Sequence, residues 1–141
     1  PAMIERLYEA SQAGVKIDLI VRGICCLIPG RKYSRNIRVT RIVDTFLEHA
    51  RVWYFGNGGK PKLFLGSPDW MRRNLYRRIE AVAPILDPDL KRELSDMLSI
   101  QLSDKRKACF VDDHLRNRWK SARPQKEKIR SQYTFYEYLK G

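Results

Sequence analysis

The hydrophobic residues of this chain change their spacing repeatedly, and this alternation limits the folds that the chain can adopt. Residues 3–13 have the spacing of an amphipathic helix, and Gly14 follows as a stop signal. Residues 15–21 then alternate and become fully apolar, as a strand that enters a buried sheet does. Strands that alternate with helices predict an α/β sandwich, with a mixed β-sheet flanked by helices.

The rest of the chain continues this alternation. Residues 37–50 have helical spacing, which predicts a helix after at most a short extended start. Asp87 and Pro88 are typical of a helix start, with the Asp as the cap and the Pro in the first turn. The other predicted elements are strands at 52–55 and 62–65 joined as a hairpin, a short helix or structured loop at 70–76, an extended segment at 78–83, a strand at 107–111 and a terminal helix at 125–139.

Length and cysteine content suggest one intracellular domain of a longer polypeptide. The 141 residues fit a single domain, in which residues 116–141 are predicted to be a basic helical tail. The chain begins inside a predicted helix, so we interpret it as a part of a larger protein. Three cysteines without metal-ligand spacing fit the reducing cytoplasm, and we expect Cys25 and Cys26 to be small buried residues at a strand end.

The charge of the chain predicts a polyanionic partner. Lys and Arg outnumber Asp and Glu by 28 to 16, which gives a formal net charge of +12. Such an excess favours nucleic acid, an anionic membrane surface, a phosphate polymer or a nucleotide over a merely solvated basic surface. No apolar run approaches the roughly 20 residues of a membrane helix. We therefore expect a cytoplasmic protein, whose only possible contact with a membrane is at the membrane surface.

His49 is the leading candidate for a catalytic residue. An imidazole can attack phosphorus or donate a proton to a leaving oxygen near neutral pH. Arg51 is expected to share a strand face with His49 and to add positive charge. His49 by itself would fit a half-buried histidine at a helix end, but its neighbours favour the catalytic interpretation. His114 lacks such neighbours and is expected at the surface.

Two further groups of residues are candidates for the same site. Arg22 closes a predicted strand, where ligands gather in open α/β sheets, and could bind phosphate oxygens. Of the adjacent arginines at 77–78, at most one should face the site if the segment is extended. Asn57 and Asp69 could orient an imidazole or fix a turn, since Asn-Gly is a favoured hairpin pair. Ser67, after a Gly that allows close backbone approach, could orient a catalytic group. No residue spacing indicates a metal site.

Several long motifs resemble the C-terminal part of bacterial polyphosphate kinases of the histidine-phosphorylating class. The His-x-Arg at 49–51 also resembles a variant of the His-Lys-Asp signature of the phospholipase D-like superfamily. The motifs are Leu-Tyr-Glu-Ala-Ser-Gln-Ala-Gly-Val at 7–15, Ile-Val-Arg-Gly-Ile-Cys at 20–25, Phe-Leu-Glu-His at 46–49, Asn-Gly-Gly at 57–59 and Ser-x-Asp-Trp-Met-x-Arg-Asn at 67–74.

The resemblance implies a fold and an activity. It implies the second of two phospholipase D-like domains that face each other across a tunnel, in an enzyme that moves the terminal phosphate of ATP reversibly onto polyphosphate. His49 matches the histidine that assists the transfer, and Arg22 and Arg78 match arginines that contact nucleotide phosphates. The phosphorylated histidine, the adenine contacts and most of the Mg²⁺ site would lie in other domains, so this chain alone is expected to be inactive.

The same resemblance implies the partners and leaves some features open. The partners would be ATP or ADP, polyphosphate and the remaining domains of the polypeptide, often in an oligomer, with no dedicated nucleic acid. Tyr76 stands where the family usually has Asp, and the loop 30–35 is more basic than usual. The alternatives are a phospholipase D-like nuclease or phosphodiesterase, which usually has Lys where Arg51 stands, and a non-catalytic module that binds polyanions.

Overall fold

The computed structural model describes residues 2–121 and 129–141, which group into two compact units. One unit contains the described residues of 1–46 and 100–141, and the other contains residues 47–99. The elements in chain order are α1 (Ala2–Gln12), β1 (Ile17–Val21), β2 (Ile37–Ile42), β3 (Arg51–Phe55), β4 (Lys62–Gly66), α2 (Arg72–Arg77), β5 (Val82–Ile85), α3 (Pro88–Ser103), β6 (Ala108–Val111), β7 (Asn117–Trp119) and α4 (Ser131–Lys140).

The first unit is built on a four-stranded sheet in the order β1-β2-β6-β7. Strands β1 and β2 are parallel, and the other two pairings are antiparallel, so the predicted mixed sheet is confirmed. One face of the sheet carries the core. Its buried cluster consists of Leu27, Ile37, Val39 and Val111, and Ile4, Leu7 and Tyr8 of α1 pack against it. The apolar stripe of the first helix is therefore what attaches α1 to the sheet.

Gly14 ends α1 through a left-handed backbone conformation. Its φ is +94°, its N–H donates to the carbonyl of Ser11 at 3.0 Å, and the N–H of Val15 donates to Ala10 at 3.0 Å. These two bonds form a Schellman motif, which satisfies carbonyls at the helix end and needs a residue that tolerates positive φ. The predicted stop at Gly14 is confirmed.

The second unit is built on a three-stranded antiparallel sheet in the order β3-β4-β5. The predicted hairpin is confirmed, with Phe55 paired to Lys62 across the loop 56–61. The short helix α2 overlaps the predicted segment 70–76 and extends one residue beyond it. Asp87 also behaves as predicted, because its Oδ1 accepts the N–H groups of Asp89 and Leu90 at 2.8 and 3.0 Å at the start of α3.

The predicted helix at 37–50 is wrong. Residues 37–42 form β2, and residues 43–50 contain no helix. The apolar positions fit either period, but β-branched Ile37, Val39 and Ile42 suit a strand that is buried against its neighbours. The segment after β2 is held by a residue that is distant in the sequence. Gln132 accepts the N–H of Phe46 at 2.8 Å and donates to its carbonyl at 2.7 Å, so that backbone is satisfied without a helix.

Asp44 is a second anchor of the same segment. Arg130 donates to both of its carboxylate oxygens, at 2.8 and 2.7 Å, and the Asp44 side chain is 1% exposed. The hydrogen bonds from Arg130 hold the pKa of Asp44 below its usual value, although burial opposes this shift. The start of α4 and the end of β2 are therefore joined by a charged pair whose carboxylate is buried and whose guanidinium is partly exposed.

Two smaller expectations also need correction. Cys26 is exposed and Cys25 is only half-buried, because both lie in an irregular segment after β1 rather than inside the strand. The tail is not helical from residue 116. Asn117–Trp119 is a strand paired with β6, and the terminal helix begins at Ser131, while residues 122–128 lie outside the described part of the chain. No described helix has the length and apolar character to cross a membrane.

Asp104 is a fully buried carboxylate that joins three elements. It lies between the end of α3 and the start of β6, and it also reaches the start of α4. Its Oδ1 accepts the N–H groups of Arg106, Lys107 and Ala108 at 2.8, 2.7 and 3.2 Å, and its Oδ2 accepts the N–H and hydroxyl of Ser131 at 2.8 and 2.9 Å. Hydrogen bonds to a charged acceptor are about twice as strong as neutral ones, so this residue is a strong link in the first unit.

We predict that Asp104→Asn lowers the free energy of unfolding by about 3 kcal/mol, as measured by urea denaturation. Whichever way the amide is placed, its NH₂ group faces N–H donors and leaves them unsatisfied. The control is Asp89→Asn, whose side chain is 79% exposed and which should change stability by less than about 0.5 kcal/mol. Equal effects of the two substitutions would contradict the role of Asp104.

Candidate functional site

His49 is exposed and lies in the irregular segment just before β3. It does not follow a helix, contrary to the expectation, but it lies two residues before the strand that starts at Arg51. The imidazole is therefore open to a ligand rather than enclosed in the hydrophobic core. Its position depends on the backbone around it, because no regular element holds residues 43–50.

Arg51 fixes the backbone at His49. Its Nη1 donates to the carbonyl oxygen of His49, and its Nε and Nη2 donate to Oδ1 of Asp69 at 2.9 and 2.6 Å. The Arg51 side chain is only 20% exposed. The guanidinium thus connects the segment before β3 to the segment after β4, and the planar fork of Arg is suited to such a double contact.

This contact changes the interpretation of Asp69. The sequence suggested that Asp69 could accept a hydrogen bond from the imidazole, but its carboxylate binds the Arg51 side chain. Arg51 itself is directed at a carboxylate and a carbonyl, so it serves as a support of the loop. A charged fork between two segments that are 18 residues apart could not be identified from spacing alone.

Ser67 belongs to a second polar cluster. Its hydroxyl donates to Oε2 of Glu80 at 3.1 Å, and Nδ2 of Asn74 donates to Oε1 at 3.1 Å. Asn74 is buried at 6% exposure, so Glu80 connects the end of β4 to α2. The roles of Asn74 and Glu80 were not predicted from the sequence. The sequence shows Glu80 as a single acid after a segment rich in arginine. This pattern indicates that Glu80 makes polar contacts but does not indicate with which residues.

Gly66 allows close backbone approach, but not to a ligand. A Cβ atom at this position would lie 2.7 Å from the carbonyl oxygen of Ala81, which belongs to the segment leading into β5. The glycine therefore makes room for the neighbouring strand of its own sheet.

Asn57 has a structural role in the hairpin loop. Its φ is +45°, and its Nδ2 donates to the carbonyl of Lys60 at 2.9 Å. The loop between Phe55 and Lys62 is longer than the two-residue type I′ turn, yet Asn57 still supplies a left-handed turn position. These contacts support the turn alternative for Asn57.

The candidate arginines lie in different parts of the fold. Arg22 directly follows β1, as predicted, and belongs to the first unit, whereas His49 and Arg78 belong to the second. Arg77 ends α2, so the adjacent pair does not lie in a strand, but the backbone of Arg78 is extended, as expected from residue 78 onwards. Arg22 and Arg78 are exposed. A common phosphate pocket of these arginines with His49 stays a prediction.

Tyr76 and His114 both lie on the surface. Tyr76 lies on α2 with 69% exposure. His114 is on the surface between β6 and β7, 3.8 Å from the carboxylate of Asp113, as expected. Among residues 2–121 and 129–141, no group of three or more His, Cys, Asp or Glu could hold a metal ion.

We predict that His49→Gln leaves the stability of the chain unchanged to within about 0.5 kcal/mol, because an exposed side chain loses no packing. Thermal denaturation followed by circular dichroism measures this. A fall in melting temperature of more than several degrees would show that the imidazole has a structural role.

We predict that Arg51 and Asp69 are energetically coupled by about 1 kcal/mol, since the pair is only partly exposed. The measurement is a double-mutant cycle of Arg51→Gln and Asp69→Asn in urea. Arg92→Gln with Asp89→Asn is the matched control, because that pair is exposed on one helix and should show weaker coupling. Additive effects at Arg51 and Asp69 would contradict the contact.

Comparison with known proteins identifies the family. Residues 1–132 match the family model described as polyphosphate kinase C-terminal domain 2. The chain is 47% identical over 140 residues to a polyphosphate kinase of Escherichia coli K12, covering 99% of this chain and 20% of that protein. It is 58% identical over 107 residues to one from Synechocystis, covering 75% of this chain and 15% of that protein.

A solved structure agrees with these relatives. The crystal structure of polyphosphate kinase from Porphyromonas gingivalis superposes with a TM-score of 0.94 at 57% identity, over 99% of this chain and 22% of that one. This chain spans about a fifth of the length of its full-length relatives. It belongs to the polyphosphate kinase family, and it corresponds to the C-terminal domain 2 of those enzymes.

Proposed function

We propose that this chain forms one half of the active site of a polyphosphate kinase. The whole enzyme transfers the terminal phosphate of ATP reversibly to inorganic polyphosphate, through a phosphohistidine that another domain of the same polypeptide supplies. The observation that carries the proposal is the match in sequence and fold to the Porphyromonas gingivalis enzyme over nearly the whole chain. A chain that covers a fifth of its relatives requires their other domains for a complete site.

His49 is the catalytic residue of this half. Its exposed imidazole donates a proton to the oxygen that leaves phosphorus, or stabilises the charge that develops there. Arg51 supports this role by binding the carbonyl of His49 while Asp69 holds the guanidinium. An anchored backbone reduces the freedom of the imidazole, and phosphoryl transfer depends mostly on such positioning and on charge.

Arg22 and Arg78 bind the phosphate groups of ATP or polyphosphate. Both are exposed, and a guanidinium binds phosphate oxygens through parallel hydrogen bonds. The net charge of +12 supports a polyanionic substrate. The Mg²⁺ of the reaction would be bound mainly by the other domains, because the described residues contain no cluster of metal ligands. Free thiols at all three cysteines support a cytoplasmic location.

The contacts of Arg51 argue against the nuclease alternative. In that chemistry the residue two positions after the histidine is a lysine that faces the substrate. Here Arg51 is engaged by Asp69 and by the His49 backbone. A module that binds polyanions without catalysis remains the other candidate, and only the loss of turnover upon a change at His49 separates it from the enzyme.

The test is a chimera in which this chain replaces the matching C-terminal segment of the Porphyromonas gingivalis enzyme. We expect the chimera to form polyphosphate from ATP, and His49→Gln to lower the rate at least about 100-fold, as for loss of a general acid. Conversion of ATP to polyphosphate is measured directly.

The matched control is His114→Gln, which removes the other, surface histidine and should leave the rate within about twofold of the parent chimera. Full activity of the His49→Gln chimera would refute the catalytic role. Cleavage of nucleic acid by the chain without ATP would instead favour the nuclease.

A further inference from the structure

A basic cavity lies on the face of the four-stranded sheet opposite the core, within the first unit. It has a volume of about 290 Å³ and is lined by Asp18, Arg38, Thr40, Leu102, Lys105, Phe110 and Lys120. This volume is close to the lower end of the roughly 300–1,000 Å³ found for small-molecule sites. The lining carries three cations and one carboxylate, so its formal charge is positive.

Strand alternation explains why these side chains meet. Arg38 and Thr40 are two residues apart on β2 and point to the same face, while Ile37 and Val39 point to the core. Asp18 is the partner of Arg38 in the parallel pair, and Phe110 is the partner of Thr40 in the antiparallel pair.

The aromatic ring of Phe110 positions two of the cations. Nζ of Lys120 lies 5.0 Å from the ring centroid, and the guanidinium carbon of Arg38 lies 5.8 Å from it. Such distances allow cation–π attraction. Nζ of Lys120 also donates to the carbonyl of Leu102 at 2.8 Å, which fixes the ammonium group at the cavity wall. Burial lowers the pKa of Lys120, so the ammonium gains from an added anion nearby.

The hydroxyl of Thr40 is the independent sign that a ligand belongs here. The residue is 1% exposed, and its Oγ1 has no hydrogen-bond partner within the described part of the chain. An unsatisfied buried hydroxyl is costly, and Oγ1 can donate to an oxygen that enters the cavity. Asp18 partly neutralises Arg38, at 3.8 Å, and so limits the affinity for anions.

We propose that this cavity is a second anion site, which binds a short oligophosphate between Arg38, Lys105 and Lys120 with a hydrogen bond from Thr40. The choice of a phosphate oligomer over other anions rests on the proposed function. The cationic character of the cavity is independent of that function. Bound there, a segment of polyphosphate would be retained by the domain independently of His49.

The experiment follows backbone amide resonances of the chain during titration with inorganic tripolyphosphate. We expect the resonances of Thr40, Phe110 and Lys120 to shift. Lys120→Gln should weaken the response about tenfold, and Thr40→Val, which removes the hydroxyl without changing size greatly, about threefold. Asp18→Asn should strengthen it about threefold, because the opposing charge is gone.

The matched control is Lys62→Gln, which removes the same charge from an exposed residue outside the cavity lining and should change the affinity less than about twofold. Lys105→Gln, at an exposed lining residue, is a second variant that cannot fail through lost core packing. We expect it to weaken binding about as much as Lys120→Gln.

Three results would overturn the proposal: no shift of these resonances at millimolar tripolyphosphate, equal responses of Lys62→Gln and Lys120→Gln, or an equal response to sulfate. His49→Gln should leave the cavity response unchanged. An inactive parent chimera with an intact cavity response would count against the proposed enzyme alone, and an active chimera without this response would count against the second site alone.

Discussion

The buried carboxylate of Asp104 is the interaction on which the first unit depends. It accepts hydrogen bonds from the start of β6 and from Ser131, and it thereby fixes where α4 begins. The neighbours of Ser131 then hold the end of β2, since Arg130 binds Asp44 and Gln132 binds the backbone of Phe46. The segment that follows β2 is thus held in place as far as Phe46, three residues before His49. One buried carboxylate can hold these segments together because its two oxygens accept hydrogen bonds from donors in separate parts of the chain.

A second charged contact has the same effect on the candidate catalytic residue. Arg51 is engaged by Asp69 and by the carbonyl of His49, so the residue that the sequence suggested as a source of positive charge beside His49 is a support of the backbone. The fork of an arginine can serve two acceptors at once, which a lysine ammonium does with less geometric control. The imidazole remains exposed while its backbone is held, as a group that assists phosphoryl transfer requires.

The basic character of the chain has two physical consequences. Part of the charge lies on exposed arginines such as Arg22 and Arg78, which the proposed enzyme uses for the phosphates of its substrates. Another part surrounds the unsatisfied hydroxyl of Thr40 on one face of the four-stranded sheet. An enzyme with a polymeric anion as substrate benefits from binding at more than one place, because a chain held at one position stays close to the others.

The sequence by itself determined the elements whose signals are local. Gly14 ends α1, Asp87 caps α3 and the hairpin of β3 and β4 follows from turn residues between alternating strands, because each depends on neighbours in the chain. Long motifs also sufficed to indicate the family. The helix predicted at 37–50 failed because its apolar positions fit two periods, and pairing with β1 and β6 decided between them. Only the tertiary structure decided the partners of Asp69 and Ser67 and the side chains that surround the unsatisfied hydroxyl of Thr40. Side chains 13 or more residues apart meet through strand register and burial rather than spacing.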